Sequence, residues 1–177
     1  MTLIAKLDTA TAAMVDLETT GLYAGCCILS IGATTLDMQH TFYSRINWDS
    51  CIEAGLVDLP STMAWWKKQS QEALDEVFNP DSPALAKVLA DFNAWLQQYK
   101  IQTIWGNGAD FDNPILAAAY RAVAIEPAYP KFGARCYRTV KSLYPQVVTP
   151  AFEGVKHNAL ADAQHQARHL NLILERM

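Results

Sequence analysis

An α/β fold, with a mixed sheet carrying helices on its faces, is predicted by three observations on this 177-residue chain. Short apolar runs separated by turn residues fill the first quarter of the sequence. Segments with apolar residues at helical spacing fill the middle and the C-terminal part. A further strand-like run, Thr103 to Gly106, returns between two of those helical segments, which requires one sheet served by both kinds of element. The composition, 51% hydrophobic and 18% charged, is that of a chain able to bury a core. At this length a single domain over residues 1–177 is expected.

Residues 12 to 18, Ala-Ala-Met-Val-Asp-Leu-Glu, read as a buried strand that Thr19-Thr20-Gly21 breaks. A second strand is expected from Ile28 to Leu36 and a third from Thr41 to Ile46, antiparallel, with Asp37 to His40 as a hairpin connection. The helical middle comprises Thr62 to Gln69, a piece near Glu72 to Phe78, and a longer helix from Pro83 to about Tyr99 with Ser82 as N-cap. Leu85, Val88, Leu89, Phe92 and Leu96 form that helix's apolar face. After the Thr103–Gly106 strand, Asn113-Pro114 opens a helix over Ile115 to Val123. Ala134 to Tyr137 is the last strand and Thr139 to Tyr144 a short helix. The final helix follows Asn158 and runs to about Glu175, with Leu160, Ala163, Ala167, Leu170 and Ile173 facing the core.

Several function classes are excluded at once. No apolar run approaches the roughly 20 residues that span a bilayer, and Lys6 and Asp8 interrupt any signal core within Met1 to Ala10, so a cytoplasmic location and no membrane partner are expected. Cys26, Cys27, Cys51 and Cys136 show no C-x-x-C spacing, which points to reduced thiols rather than a zinc site or a disulfide framework. The net charge of −4 argues against coating long nucleic acid, whose affinity comes from many phosphate contacts. It does not argue against grasping one strand end, because bound cations neutralise a carboxylate-rich site. Local basic groups are Lys131, Arg135, Arg138 and Lys141, with Lys67 and Lys68 as a second set.

The informative residues are carboxylates. Asp16 and Glu18, two apart on a strand, project from one face, which is costly at a sheet core unless a cation lies between them. Asp112 stands before the helix opened by Pro114, where a carboxylate also serves as a cap. Asp110 competes with it, and the flanking Phe111 and the following apolar run favour Asp112. Asp162 lies in the first turns of the last helix between Ala161 and Ala163, small neighbours that let a sheet approach. His157 precedes it by five residues on the loop entering that helix. A histidine so placed is able to take a proton from water.

Together these pieces resemble the DEDDh 3′–5′ exonuclease superfamily. Asp16-Leu17-Glu18-Thr19-Thr20-Gly21 is similar to its first motif, Asn107 to Asp112 to its second and His157 to Asp162 to its third. The likeness runs from residue 12 to 175. Within the superfamily, residues 62–70 and 135–139 resemble segments of phage and prophage DexA-like exonucleases.

The resemblance implies a ribonuclease H-like fold with a five-stranded mixed sheet. It implies metal-dependent 3′–5′ hydrolysis of single-stranded nucleic acid to nucleoside 5′-monophosphates. Asp16, Glu18, Asp112 and Asp162 would hold two divalent cations, Mg²⁺ with Mn²⁺ as an alternative, and His157 would act as general base. Thr19, Gly21 and Leu22 are candidates to line the terminal nucleotide. Trp65, Trp66 and Phe111 are candidates to stack on bases, although aromatic residues at helical spacing also build cores. Arg135 and Arg138 are candidates for phosphates. The partner would be a single-stranded 3′ end, with a homodimer left open. The phage likeness leans the substrate to DNA, since nothing in the sequence addresses the 2′ hydroxyl. A non-hydrolytic binding module on the same fold and a small-nucleotide phosphodiesterase are the alternatives.

Overall fold

Strand β1 (Ala12–Thr19) lies at the centre of a five-stranded sheet ordered β3-β2-β1-β4-β5. The structure, a computed structural model, describes residues 7–177. Residues 1–6, including the Lys6 named above as interrupting any signal core, lie outside the described residues. Strands β2 (Ile28–Thr35) and β3 (Thr41–Arg45) extend the sheet on one side of β1 as antiparallel neighbours. On the other side β4 (Thr103–Gly106) and β5 (Ala134–Cys136) run parallel to β1. The α/β architecture implied by the resemblance, a ribonuclease H-like mixed sheet of five strands flanked by helices, is therefore the one observed.

Side-chain alternation along β1 assigns its two faces. Ala13, Val15 and Leu17 enter the larger core, with Val88, Leu89 and Phe92 of α4 (Leu85–Gln98) and Ile115, Leu116 and Ala119 of α5 (Asp112–Ala122). Ala12 and Met14 enter a second core with Ala163, Ala167 and Leu170 of α7 (Ala159–Leu174) and Tyr137 of α6 (Tyr137–Leu143). Asp16 and Glu18 continue this second face beyond its apolar part. They emerge at the carboxyl end of β1, next to the parallel β4, where open α/β sheets characteristically form their crevices.

Gly32 lets α7 reach that end. It pairs with Asp16 across the β1–β2 ladder, and a Cβ built on it would lie 2.1 Å from the backbone carbon of Ala159 and 2.2 Å from the nitrogen of Leu160. Backbone atoms cannot yield as a side-chain tip can, so Gly32→Ala should destabilise the protein by about 3 kcal/mol. Denaturant unfolding measures this, and a loss under about 1 kcal/mol would show that α7 is free to lift from the sheet.

Several element boundaries differ from expectation, each for a local reason. The long helix begins at Leu85 and not Pro83, and Ser82 is not its cap: Ala84 holds the N-cap position without a side-chain bond. The Ser50 hydroxyl instead accepts from the Leu85 backbone N–H at 2.9 Å. Ser50 belongs to α1 (Trp48–Glu53), a helix missed in the sequence because six residues are too few to show a period. Its N-cap, Asn47, accepts from Ser50 N. The two middle helices are α2 (Pro60–Trp66) and α3 (Gln71–Val77). The last strand stops at Cys136, whose sulfur caps α6 by accepting from Thr139 N. All four cysteines are free. No helix among the described residues is long and apolar enough to cross a membrane.

Candidate active site

A cleft of about 530 Å³ opens at the carboxyl end of β1. Asp16, Glu18 and Asp162 meet there, each offering a carboxylate oxygen such that all three lie within 4.8 Å of one another. Asp16 and Glu18 are brought together by the period of the strand. Asp162 arrives from the first turn of α7, which Asn158 caps by accepting from Ala161 N at 3.1 Å. His157, also lining the cleft, precedes the cap in a left-handed backbone conformation (φ 63°), and the turn before it passes through Gly154 (φ 109°). A Cβ on Gly154 would come within 2.9 Å of the Ala161 methyl, so this turn fits tightly over the start of α7.

The fourth predicted carboxylate is placed differently. Asp112 is only 1% exposed and lies behind the cluster, at the start of α5. Its Oδ1 accepts from Leu17 N at 3.2 Å and its Oδ2 from Asn107 N at 2.6 Å, tying β1 to the turn after β4. Gly106 makes room for it, since a Cβ there would sit 2.9 Å from the Asp112 Cβ. Asp110, the competing candidate, is exposed.

These carboxylates strain one another electrostatically. Burial pushes the Glu18 carboxyl up to about 8, and the charges of Asp162 and Asp112 add to the effect. Asp16 is also held well above the usual carboxylate range, by burial first and then by Asp112, Glu18 and Asp162, with the Gln166 hydrogen bond opposing. Asp112 is pushed up to about 6 by burial, against its backbone N–H partners. Burial raises Asp162, while neighbouring His157 pulls it back. Three converging carboxylates that burial and mutual repulsion hold back from ionising form a donor set suited to a hard divalent cation, whose charge reverses that balance.

A pH dependence follows. A carboxyl with a raised folded value keeps a proton that the unfolded chain releases, so its stabilising effect is complete below the ordinary glutamate value of 4.5 and is lost as pH rises through about 8. The cation-free protein should lose on the order of 5 °C in melting temperature between about pH 5 and about pH 8.5. A divalent cation should restore more of it at the higher pH. Calorimetric scans with and without Mn²⁺ measure both effects, and a metal-free melting temperature that rises over this interval would contradict the electrostatic picture.

The candidates for substrate contact separate. Leu22 is 63% exposed and Trp65 41% exposed, both on the cleft wall with Thr19 and Phe111. Trp65 meets the His157 ring edge-on at 5.1 Å. Trp66 corrects the stacking expectation: it is 1% exposed, packs on Phe78 and donates its indole N–H to Thr19 O at 2.8 Å, so it supports the floor of the cleft. Gly21 likewise acts through packing, because a Cβ there would sit 2.5 Å from the Cys26 Cβ. Thr19 turns its hydroxyl to Gly21 O at 2.7 Å.

Arg135 and Arg138 are exposed and do not line the cleft. Arg135 donates to Phe132 O and Ala134 O. Arg138 lies near Gly108, and its charge lowers Asp112 slightly.

Sequence reasoning missed Ser61, Thr62 and Gln166 as cleft residues. Gln166 stands four residues after Asp162 on α7 and donates to Asp16 Oδ1 at 2.6 Å. That i,i+4 spacing on one helix face was the available signal.

A search of curated proteins found no match. The family model of the 3′-5′ exoribonuclease Rv2179c-like domain matches residues 11–174, a span that holds β1 with its two carboxylates, Asp112, His157 and Asp162. With nearly the whole chain covered, and with the three motifs in order around one cleft, this protein belongs to the 3′-5′ exoribonuclease Rv2179c-like domain family and is a 3′–5′ exonuclease.

Proposed function

We propose that the enzyme removes nucleoside 5′-monophosphates one at a time from the 3′ end of single-stranded RNA, in a reaction that depends on two divalent cations. The observation that carries this reading is the convergence of Asp16, Glu18 and Asp162 oxygens within 4.8 Å in a cleft walled by exposed Trp65 and Leu22. Asp16, Glu18 and Asp162 would hold the cations directly. Asp112, with both oxygens on backbone N–H groups, would support them through the placement of Leu17 and Asn107. When bound, Mg²⁺ or Mn²⁺ lowers the pKa of water and neutralises charge on the scissile phosphate.

The chain's own residues supply the remaining steps. The imidazole of His157 takes the proton from the attacking water, and the turn from Gly154 to Asn158 presents it at the cleft edge. Trp65 offers its exposed face to the terminal base, an interaction worth about 1–3 kcal/mol. Leu22 and Phe111, which also line the cleft, would contact the sugar and the neighbouring base. Lys67 and Lys68, exposed and two and three residues after Trp65 in the chain, would be the basic groups offered to phosphates of the incoming strand. The earlier lean to DNA rests on the DexA-like segments 62–70 and 135–139, whereas the family description names RNA. Domain organisation as one catalytic unit over residues 1–177, a cytoplasmic location and an optional homodimer belong to the same proposal.

Matched RNA and DNA oligonucleotides of one sequence, assayed in parallel with Mg²⁺, test the substrate. RNA should be hydrolysed at least tenfold faster in kcat/KM. A preference for DNA of that size would return the reading to the phage likeness.

A further inference from the structure

We propose that Gln166 is a positioning residue for the cation site: its side-chain amide holds Asp16 turned toward Glu18 and Asp162. The inference rests on the reading of that cluster as a cation site. Gln166 lies on α7 one turn beyond Asp162, so a single helix face carries both a carboxylate and the group that orients the carboxylate opposite it. Its Nε2 donates to Asp16 Oδ1 at 2.6 Å, across 150 residues of sequence. The residue is only 6% exposed, and its Oε1 is buried without a hydrogen-bond partner among the described residues.

That orphaned oxygen is the informative feature. A buried acceptor without a donor costs stability, and such groups in folded proteins call for a reason. With Asp16 ionised, as a bound cation would keep it, turning the amide over would aim Oε1 at a carboxylate oxygen and lose the one side-chain bond Gln166 makes among the described residues. The orientation is therefore set by Asp16, and the glutamine keeps an unsatisfied atom to do so. A residue retained for packing alone would be better replaced by an apolar side chain of the same length. The geometry above it fits the same purpose: Gly32, the ladder partner of Asp16, admits the α7 backbone closely enough for a glutamine to span the gap. Partners of this kind, which orient a cation's direct ligands, typically change metal affinity by about 10–100-fold when removed.

The test is a calorimetric Mn²⁺ titration of the full chain as the unmutated protein, Gln166→Met, Gln166→Asn and Asp16→Asn. Gln166→Met keeps the length and removes both polar atoms, while Gln166→Asn keeps the amide on a stem too short to reach. Both should weaken Mn²⁺ binding about tenfold or more. Gln166→Met should at the same time leave the metal-free melting temperature unchanged or raised, since the orphaned oxygen is gone. In activity assays the Mn²⁺ concentration for half-maximal rate should rise while the rate at saturating Mn²⁺ changes little.

A packing role predicts the reverse pattern: lower stability for Gln166→Met with Mn²⁺ affinity within about twofold of the parent. That result would overturn the inference, and if Gln166→Met does not fold, Gln166→Leu is read in its place by the same criteria. Failure of the unmutated protein to bind Mn²⁺, with no loss on Asp16→Asn, would instead overturn the cation site itself.

Discussion

Asp16→Asn should slow 3′-end hydrolysis by on the order of 10³-fold or more, the largest effect expected of any single substitution here. The change is nearly isosteric, so packing beneath the cleft is preserved. What disappears is the charge that Asp16 contributes to the three-carboxylate cluster, together with the acceptor held by Gln166. In the cation-free protein the same change removes a buried group already raised by burial and by three acidic neighbours. The variant should therefore be as stable as the parent, or more so, when no metal is present. Initial rates on a 3′-labelled strand, with a thermal melt of the same sample, check both halves. An active Asp16→Asn enzyme would mean that the cluster is not where the phosphodiester is cut.

His157→Ala should lower kcat by about 10²- to 10⁴-fold, the range expected when a general base is removed. This loss differs in kind from that at Asp16. His157 sits at the rim of the cleft, on the turn before the α7 cap, and is not one of the three clustered oxygen donors. Mn²⁺ affinity should consequently stay within about twofold of the parent, and KM should rise only modestly through the lost edge contact with Trp65. Single-turnover kinetics combined with an Mn²⁺ titration separate the two quantities. A His157→Ala variant that loses metal binding would make this residue a structural support of the cluster.

The parts of the site that were legible in the sequence are those generated by short-range periodicity. Asp16 and Glu18 share a face because a strand repeats every two residues, and the apolar Ala12 and Met14 before them identify which face it is. His157 and Asp162, each uninformative alone, gained their meaning from being found together before the last helix, whose start Asn158 marks. Asp112 was preferred over Asp110 largely by its place in the second motif, with Phe111 a modest physical ground, and the structure buries the first while exposing the second.

The less legible features depend on tertiary approach. Trp65 and Trp66 are adjacent on a seven-residue helix, so about 100° of rotation separates a cleft wall from a core position, and their order along the chain does not say which is which. Gly32 carries no local signal within its strand, because the backbone it admits belongs to a helix more than 120 residues later. Gln166 lay among polar residues of an amphipathic helix, and only its contact with Asp16 distinguishes it from them. Arg135 and Arg138 carried the right charge for phosphates, but β5 and α6 place them outside the cleft.

One measurement bears most directly on the claim that the Asp16–Glu18–Asp162 cleft works on strand ends: a time course on a 5′-labelled linear single strand beside a circular strand of the same sequence, each with Mg²⁺ and with chelator. The expected result is a ladder shortening by single nucleotides from the 3′ end, accumulation of nucleoside 5′-monophosphates, an intact circle and no reaction in chelator. Cleavage of the circle, or tight binding of the linear strand without any shortening, would contradict it.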